Sequence, residues 1–226
     1  MRVSFEESDE KVTFRISEFH PKYERILQMC FYENDGKGYT KIYPKDVKYL
    51  DKIQKRYFDN ANLMFDQLGY FVPVPWEKAL TEFCQRTQET NINWWLTGSC
   101  AACIRGIKMN PHDVDIMTDS KSIEEITDVF SDCLIEPIVD TNGWLTKDFG
   151  VIFLHARIDI ASDPQEILDI PEPVDCGPYA KQNLETIKWN GYNIKVPPLE
   201  LQLNVNKRRE RMDRVKLIED FMNKQF

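Results

Sequence analysis

The chain has 226 residues, of which 42% are hydrophobic and 29% charged, and its formal net charge is −8 at pH 7. A chain of this length and composition can bury a core without disulfides, which excludes a disordered chain and a small disulfide scaffold. Because non-specific binding to nucleic acid depends on Lys and Arg that neutralise phosphates, the negative charge argues against general DNA binding.

The location of the protein is predicted from two further features of the composition. No stretch approaches the roughly 20 apolar residues that span a membrane, and the N-terminus lacks the apolar segment of a secretory signal. Six cysteines are spread from Cys30 to Cys176 without the regular framework of a small secreted fold. We therefore expect reduced thiols, a cytoplasmic location and no membrane partner.

Residues 1–72 are predicted to form an N-terminal α+β addition. Apolar and polar residues alternate over residues 12–16, which is typical of a strand, and an Asp-Gly turn between aromatic flanks in residues 31–39 indicates a hairpin. Helical spacing over residues 47–68 predicts a long amphipathic helix that Gly69 ends. No residue here carries a recognisable reaction, so the addition is expected to bind an acceptor or a partner.

Residues 76–226 are predicted to form the catalytic domain. Two prolines in residues 72–75 cannot continue a helix, which makes this segment a linker. After it we predict helix 76–88, strand 93–97, helix 101–107, strand 113–117, helix 123–134 with Ser120 or Ser122 as cap, two or three strands within 136–161, a loop over 163–178, and one or two helices from 199. This order predicts a mixed α/β (α+β) fold, in which helices flank a mixed sheet.

Two carboxylates lie on one predicted strand. Residues two apart on a strand point to the same face, so Asp113 and Asp115 are presented together while Val114 and Ile116 enter the core. Carboxylate and phosphate oxygens are the ligands that Mg²⁺ prefers. An Asp-x-Asp pair alone is also common on a solvated strand edge, so the pair needs a second observation.

Gly98-Ser99, at the junction of a predicted strand and helix, supplies that observation. Glycine lets the backbone approach a phosphate, the serine hydroxyl can donate to it, and the amides of a helix N-terminus favour an anion. A turn of this kind before a strand with two carboxylates can hold a triphosphate against two metal ions, which activate the attacking hydroxyl and stabilise the leaving pyrophosphate.

The stretch Leu96-Thr97-Gly98-Ser99, followed after thirteen residues by Asp113-Val114-Asp115-Ile116, resembles the signature of the DNA polymerase β-like nucleotidyltransferase superfamily, in its small bacterial and archaeal type. The resemblance spans about residues 92–216. It implies transfer of a nucleoside monophosphate from an NTP to a hydroxyl of a small molecule, a protein or an RNA end, with Mg²⁺ or Mn²⁺ as cofactor and pyrophosphate as product.

The resemblance also implies a third metal carboxylate on a later strand. Asp159 matches best because it stands between apolar residues on a predicted strand, and Asp140 and Asp163 are weaker choices. Asp113, Asp115 and Asp159 are thus the expected catalytic and metal-binding residues.

Basic residues are the candidate phosphate ligands besides Gly98 and Ser99. Residues 196–207 are similar to the helix start that follows the catalytic sheet in the relatives, where a lysine at the position of Lys207 faces the triphosphate. Lys207, Arg211 and Arg214 are spaced to share one helical face, which either binds phosphates or is solvated. Arg105, about two helical turns after the phosphate turn, either reaches the nucleotide or lies at the surface.

Other residue patterns have simpler interpretations. His112 is expected to shape the turn before Asp113, and Cys100 and Cys103 have zinc-like spacing without the second pair that a zinc site needs.

Two alternative functions remain open. One is an inactive nucleotidyltransferase-like module that binds nucleotide or protein, which the complete carboxylate set argues against. The other is a metal-dependent glycosyltransferase, which the short distance from Gly98 to Asp113 disfavours. The acceptor, the preferred base and the oligomeric state cannot be read from the sequence.

Overall fold

The structure, a computed structural model, describes residues 1–224 of the chain. Its N-terminal part contains β1 (Arg2–Glu7), β2 (Lys11–Ser17), α1 (Glu24–Met29), β3 (Glu33–Asn34), β4 (Tyr39–Pro44) and α2 (Leu50–Leu68). There follow α3 (Trp76–Thr87), β5 (Trp94–Thr97), α4 (Gly98–Ile104), β6 (Val114–Thr118), α5 (Ile123–Val129), β7 (Leu134–Asp140), β8 (Asp148–Leu154), β9 (Ala156–Ser162), α6 (Pro178–Gln182), β10 (Glu185–Trp189), β11 (Tyr192–Val196), α7 (Leu199–Arg208) and α8 (Met212–Met222).

A five-stranded mixed sheet forms the centre of the fold. Its strand order is β5-β6-β9-β8-β7, and β6 and β9 run parallel while the other neighbours are antiparallel. Helices α2 and α3 pack against its strands, and α7 and α8 pack against each other beside α4. This arrangement confirms the predicted mixed fold with flanking helices.

The N-terminal part forms a four-stranded antiparallel sheet in the order β1-β2-β4-β3. The apolar residues Val12, Phe14 and Ile16 of β2 are fully buried, so the predicted alternation is confirmed. Helix α2 buries one stripe and contacts β7 of the central sheet. One continuous hydrophobic core therefore includes residues from both parts, and the division into two domains stays a prediction.

Most predicted elements are present, with corrections at their ends. Helix α4 begins at Gly98 instead of residue 101, and α5 ends at Val129, which frees Leu134 to begin a strand. Ser122 is at the N-cap position of α5, one of the two predicted positions, but its side chain makes no capping hydrogen bond. Asp119 caps the short 3-10 turn before α5 by accepting from the backbone amide of Ser122. Strand β1 and the β10-β11 hairpin were not predicted. Polar and charged residues interrupt the apolar pattern in β1 and β10, although Ile194 and Val196 of β11 are buried.

The cysteines and the hydrophobicity of the helices bear on two further expectations. All six cysteines are free thiols, as expected. No helix within residues 1–224 combines the length and apolar character that crossing a membrane requires.

Candidate active site

Gly98 lies where β5 ends and α4 begins, beside the predicted metal carboxylates. Its φ of +64° is in the left-handed region, and a Cβ at this position would collide with the carboxylate of Asp115. Its amide donates to Asp175 Oδ2 at 3.1 Å, and its carbonyl accepts from Gln202 Nε2 at 2.8 Å. Glycine is thus needed here to let the backbone pass the Asp115 carboxylate. Ser99 follows in the first turn of α4, buried but lining the same cavity.

Asp113, Asp115 and Asp159 converge in this cavity. Asp115 on β6 and Asp159 on β9 are direct neighbours in the parallel register, and Asp113 immediately precedes β6. One carboxylate oxygen from each of the three residues lies within 4.8 Å of the others. The strand pairing therefore assembles the three carboxylates that the sequence singled out.

The electrostatics of the triad favour a divalent cation. Burial raises the pKa of Asp113 well above its usual value, and Asp115 and Asp159 raise it further. Burial, Asp159 and Asp175 together raise the pKa of Asp115 to about 6. Close carboxylates with raised pKa values repel each other when ionised, and a hard divalent cation with oxygen ligands removes that repulsion. The donor set therefore fits a divalent metal.

Three arginines line the cavity and face the triad: Arg209, Arg211 and Arg214. Helix α7 ends at Arg208 and α8 begins at Met212, and between them Glu210 adopts a left-handed backbone with φ of 54°. Burial, Arg214 and Arg209 lower the pKa of Arg211. No carboxylate within residues 1–224 forms an ion pair with these three side chains. Clustered arginines without carboxylate partners are suited to bind an anion such as a triphosphate.

The helix break places the predicted basic residues differently from the sequence expectation. Lys207, Arg211 and Arg214 do not share one helical face, because two helices meet between them. Lys207 Nζ pairs with Glu219 at 3.1 Å, and Lys207 is not among the residues that line the cavity. Arg105 donates to Glu185 at 2.5 Å and to the Pro197 carbonyl at 2.8 Å, which also keeps it outside the cavity. Arg211 and Arg214 do reach it.

Arg157 is a site residue that the sequence reasoning missed. Its side chain is 3% exposed, and its Nε donates to Asp159 Oδ1 at 2.5 Å. Residues two apart on β9 share a face, so the spacing of Arg157 and Asp159 is a signal that could have found it. Arg157 therefore orients the third carboxylate.

A buried network connects Arg157 to the N-terminal part. Glu136, only 1% exposed, lies 4.0 Å from Arg157 and accepts from Lys41 Nζ at 2.6 Å. It also accepts from the hydroxyls of Tyr32 and Tyr43, both at 2.9 Å. Although burial raises the pKa of Glu136, Lys41 and Arg157 outweigh it and lower the pKa. Lys41, Tyr32 and Tyr43 of the N-terminal part thus contact Glu136, which lies beside the arginine that orients Asp159.

The remaining residues singled out in the sequence have mainly structural contacts. His112 lines the cavity, and its Nδ1 lies 3.2 Å from the Leu68 carbonyl oxygen. The Cys100 thiol donates to the Asp113 carbonyl at 3.2 Å, which helps to fix the turn before β6. Asp175, which binds the Gly98 amide, comes from the proline-rich loop and carried no sequence signal.

Comparisons with known proteins agree with this geometry. Residues 79–163 match the family model of aminoglycoside-2''-adenylyltransferases. No curated protein sequence matches the chain. A structure of a Thermotoga maritima protein described as a nucleotidyltransferase has 21% sequence identity and a TM-score of 0.50, covering 68% of this chain and 96% of that one. The lincosamide antibiotic adenylyltransferase LnuA, with lincomycin bound, has 15% identity and a TM-score of 0.45, covering 63% and 96%.

The family model covers β5, β6 and β9, the strands that position the triad. The Thermotoga maritima structure shows the same fold over about two thirds of the chain. The strands that position the triad therefore lie in a region that matches an adenylyltransferase family model, and the chain has a nucleotidyltransferase-like fold.

Proposed function

We propose that the protein transfers a nucleoside monophosphate from an NTP to a hydroxyl of an acceptor and releases pyrophosphate, with Mg²⁺ or Mn²⁺ as cofactor. The observation that carries the proposal is the triad of Asp113, Asp115 and Asp159, with carboxylate oxygens within 4.8 Å of one another. The three arginines across the cavity support it, because they supply positive charge for the phosphates. We place the reaction in the cytoplasm, where NTPs and free thiols occur together.

Each group of residues has a separate role in the proposed reaction. Asp113, Asp115 and Asp159 would hold the metal ions, which lower the pKa of an attacking hydroxyl and neutralise charge on the leaving pyrophosphate. Arg209, Arg211 and Arg214 would bind the β- and γ-phosphates. The Ser99 hydroxyl, which lines the same cavity, would donate to a phosphate oxygen, whereas the Gly98 amide is already bound to Asp175.

The acceptor oxygen attacks the α-phosphorus, and the bond from that phosphorus to the bridging oxygen of pyrophosphate breaks. Asp159 accepts a hydrogen bond from Arg157 and would accept the proton of the acceptor hydroxyl. The hydrogen bond from the buried Arg157 holds the Asp159 carboxylate in the cavity that both side chains line.

ATP is the first nucleotide to test, because the matching family model describes adenylyltransferases. The purified chain is incubated with Mg²⁺, a cell extract as source of acceptors, and ATP labelled in either the α- or the γ-phosphate. The α-label is expected on an acceptor and the γ-label in pyrophosphate. Transfer of the γ-label to the acceptor would instead indicate a kinase-type reaction and contradict the proposal.

Matched variants separate this site from background activity. Asp115→Asn removes one metal carboxylate, whereas Asp59→Asn changes an exposed residue of α2 that pairs with Lys55. We expect the first variant to abolish labelling and the second to retain it. Equal labelling by both would show that the triad is not the site of transfer.

A further inference from the structure

A second groove opens beside the triad cavity, between the N-terminal sheet and the β7-β8 edge of the central sheet. Its volume of about 440 Å³ falls within the range of roughly 300 to 1,000 Å³ that is usual for small-molecule sites. The groove is lined in part by Phe31, Ile42, Glu136, Val139, Trp144 and Phe149. The proposed reaction uses none of these side chains directly.

The groove and the triad cavity lie over the same face of the sheet and share Phe31 as a lining residue. In the register, Asp159 is opposite Val151 of β8, and Val151 is opposite Glu136 of β7. Residues opposite each other across strands share a face, so Glu136 at the groove floor is two strand spacings, about 10 Å, from Asp159. Phe31 lines both the groove and the cavity. The buried Arg157 side chain fills the sheet face between Glu136 and Asp159, so a small molecule in the groove would extend a hydroxyl to the triad past Phe31.

Phe31 is held in an unfavourable backbone conformation at this junction. It follows the end of α1 with φ of 63°, in the left-handed region where glycine usually ends a helix. For a bulky residue this conformation is strained, and such strain is concentrated at binding and catalytic sites. The Phe31 ring is 56% exposed and makes an edge contact with Trp144, itself 40% exposed, at 4.8 Å between centroids. Two large aromatic side chains thus remain partly open to solvent in the groove, and one of them, Phe31, also lines the triad cavity.

The charges of the groove indicate what it can bind. Lys41 and Glu136 pair at 2.6 Å and neutralise each other. Within the described part of the chain, Glu33 is the one groove carboxylate without a side-chain partner. Phe31, Ile42, Val139, Trp144 and Phe149 are aromatic or aliphatic. Such a lining suits the apolar face of a ligand far better than a polycation or a polynucleotide.

We propose that this groove binds the acceptor, and that the acceptor is an uncharged small molecule with hydroxyl groups and an apolar ring face. The role as acceptor site rests on the nucleotidyl transfer proposed above. The ring face packs on Phe31 and Trp144, and a hydroxyl reaches Asp159. The N-terminal part, which supplies Phe31 and Ile42, thereby contributes the acceptor side of the active site.

The test measures binding by the full chain without nucleotide, so that it does not depend on turnover. The probes are 4-methylumbelliferyl glucoside, which combines a neutral polyol with an aromatic face, glucose, which lacks that face, and the polycation kanamycin. Calorimetric titration is expected to show the glucoside binding at least about tenfold more tightly than glucose or kanamycin. Weaker binding of the glucoside than of kanamycin, or no binding of the glucoside, overturns the proposal.

Variants locate the binding in the groove. Trp144→Ala and Phe31→Ala are each expected to weaken glucoside binding about tenfold, and Trp144→Phe to restore most of it. Ile42→Glu, at a position that is 60% exposed, adds charge to the groove without disturbing the core and should weaken binding similarly. The control is Phe58→Ala on α2, which removes a phenylalanine of comparable exposure, 61%, and should leave binding unchanged. Equal binding by all variants overturns the groove assignment.

Failure of this inference and failure of the proposed function give different results. If the α-label is transferred but the groove variants leave the KM for the acceptor unchanged, the groove assignment is wrong and the transfer stands. If groove binding follows the variants but no α-label is transferred, the transferase proposal and the acceptor role fail, and only a binding site remains.

Discussion

Asp115→Asn should stabilise the metal-free protein at mildly alkaline pH, although it removes a residue of the active site. The pKa of Asp115 is raised from 3.8 to about 6 by burial, Asp159 and Asp175. The difference of about 2 units corresponds to about 3 kcal/mol, and the partial exposure of the carboxylate to the cavity reduces this to about 1 to 2 kcal/mol. Asparagine has nearly the same shape and cannot ionise, so it removes this unfavourable term.

The sign of the pH dependence follows from the raised pKa. At about pH 5 the folded protein retains a proton on Asp115 that the unfolded chain has released, so the free energy of unfolding falls as pH rises from about 4 to above 6. The advantage of Asp115→Asn is therefore small below about pH 4, roughly half of its full size at about pH 5 and full at about pH 8. For a domain of this size it corresponds to an increase in Tm of roughly 2 to 8 °C.

Thermal unfolding with a chelator and with Mg²⁺ measures this effect. Mg²⁺ should raise the Tm of the wild type at about pH 8 and raise that of Asp115→Asn much less, because a ligand that binds the folded state more weakly stabilises it less. Asp59→Asn, at an exposed ion pair, serves as the control and should respond to Mg²⁺ as the wild type does. The reasoning is refuted if Asp115→Asn is less stable than the wild type in chelator at about pH 8, or if Mg²⁺ stabilises both equally.

Three further predictions concern the surroundings of the triad. Arg211→Ala should weaken binding of Mg-ATP about tenfold in calorimetric titration, whereas Lys207→Ala, outside the cavity, should change it less than about twofold; the opposite order would restore the sequence expectation for Lys207. Gly98→Ala should lower the free energy of unfolding by about 1 to 3 kcal/mol and reduce Mg²⁺ affinity, since the new Cβ collides with the Asp115 carboxylate; unchanged Mg²⁺ affinity in a metal titration would contradict the geometry. Glu136→Ala should lower the free energy of unfolding in urea by about 3 to 5 kcal/mol because Lys41 and Arg157 lose their buried partner, and a loss below about 1 kcal/mol would argue against the network.

The triad could be predicted because its determinants are local. The two-residue spacing of Asp113 and Asp115 follows from strand geometry, and Asp159 was found from its place between apolar residues on a second strand. The parallel register of β6 and β9 then brings Asp115 and Asp159 side by side. Gly98 was predicted as a residue of the phosphate turn, and the structure adds that glycine there accommodates the Asp115 carboxylate.

The basic side of the site could not be predicted in the same way. Helical spacing placed Lys207 with Arg211 and Arg214, but the left-handed conformation of Glu210 separates α7 from α8. Nothing in the helical pattern indicated that break, since Glu is an ordinary helix residue. The structure therefore adds Arg209 to the cavity and removes Lys207 from it.

The support of Asp159 depends on contacts between distant parts of the chain. Glu136 meets Lys41 and Tyr32 across separations of 95 and 104 residues. Such contacts are set by how the N-terminal sheet packs on β7, and no local pattern in a single sequence encodes that packing. For the same reason no chemical role of the N-terminal part could be predicted from the sequence.

Metal-dependent nucleotidyl transfer at the triad is tested most directly by labelling with α-labelled ATP, comparing the wild type with Asp159→Asn in Mg²⁺ and in chelator. The wild type should transfer the α-label to an acceptor in Mg²⁺ alone, and Asp159→Asn should lose at least about a hundredfold in rate while keeping its fold. Equal transfer by the wild type and Asp159→Asn, or transfer that persists in chelator, would contradict the account.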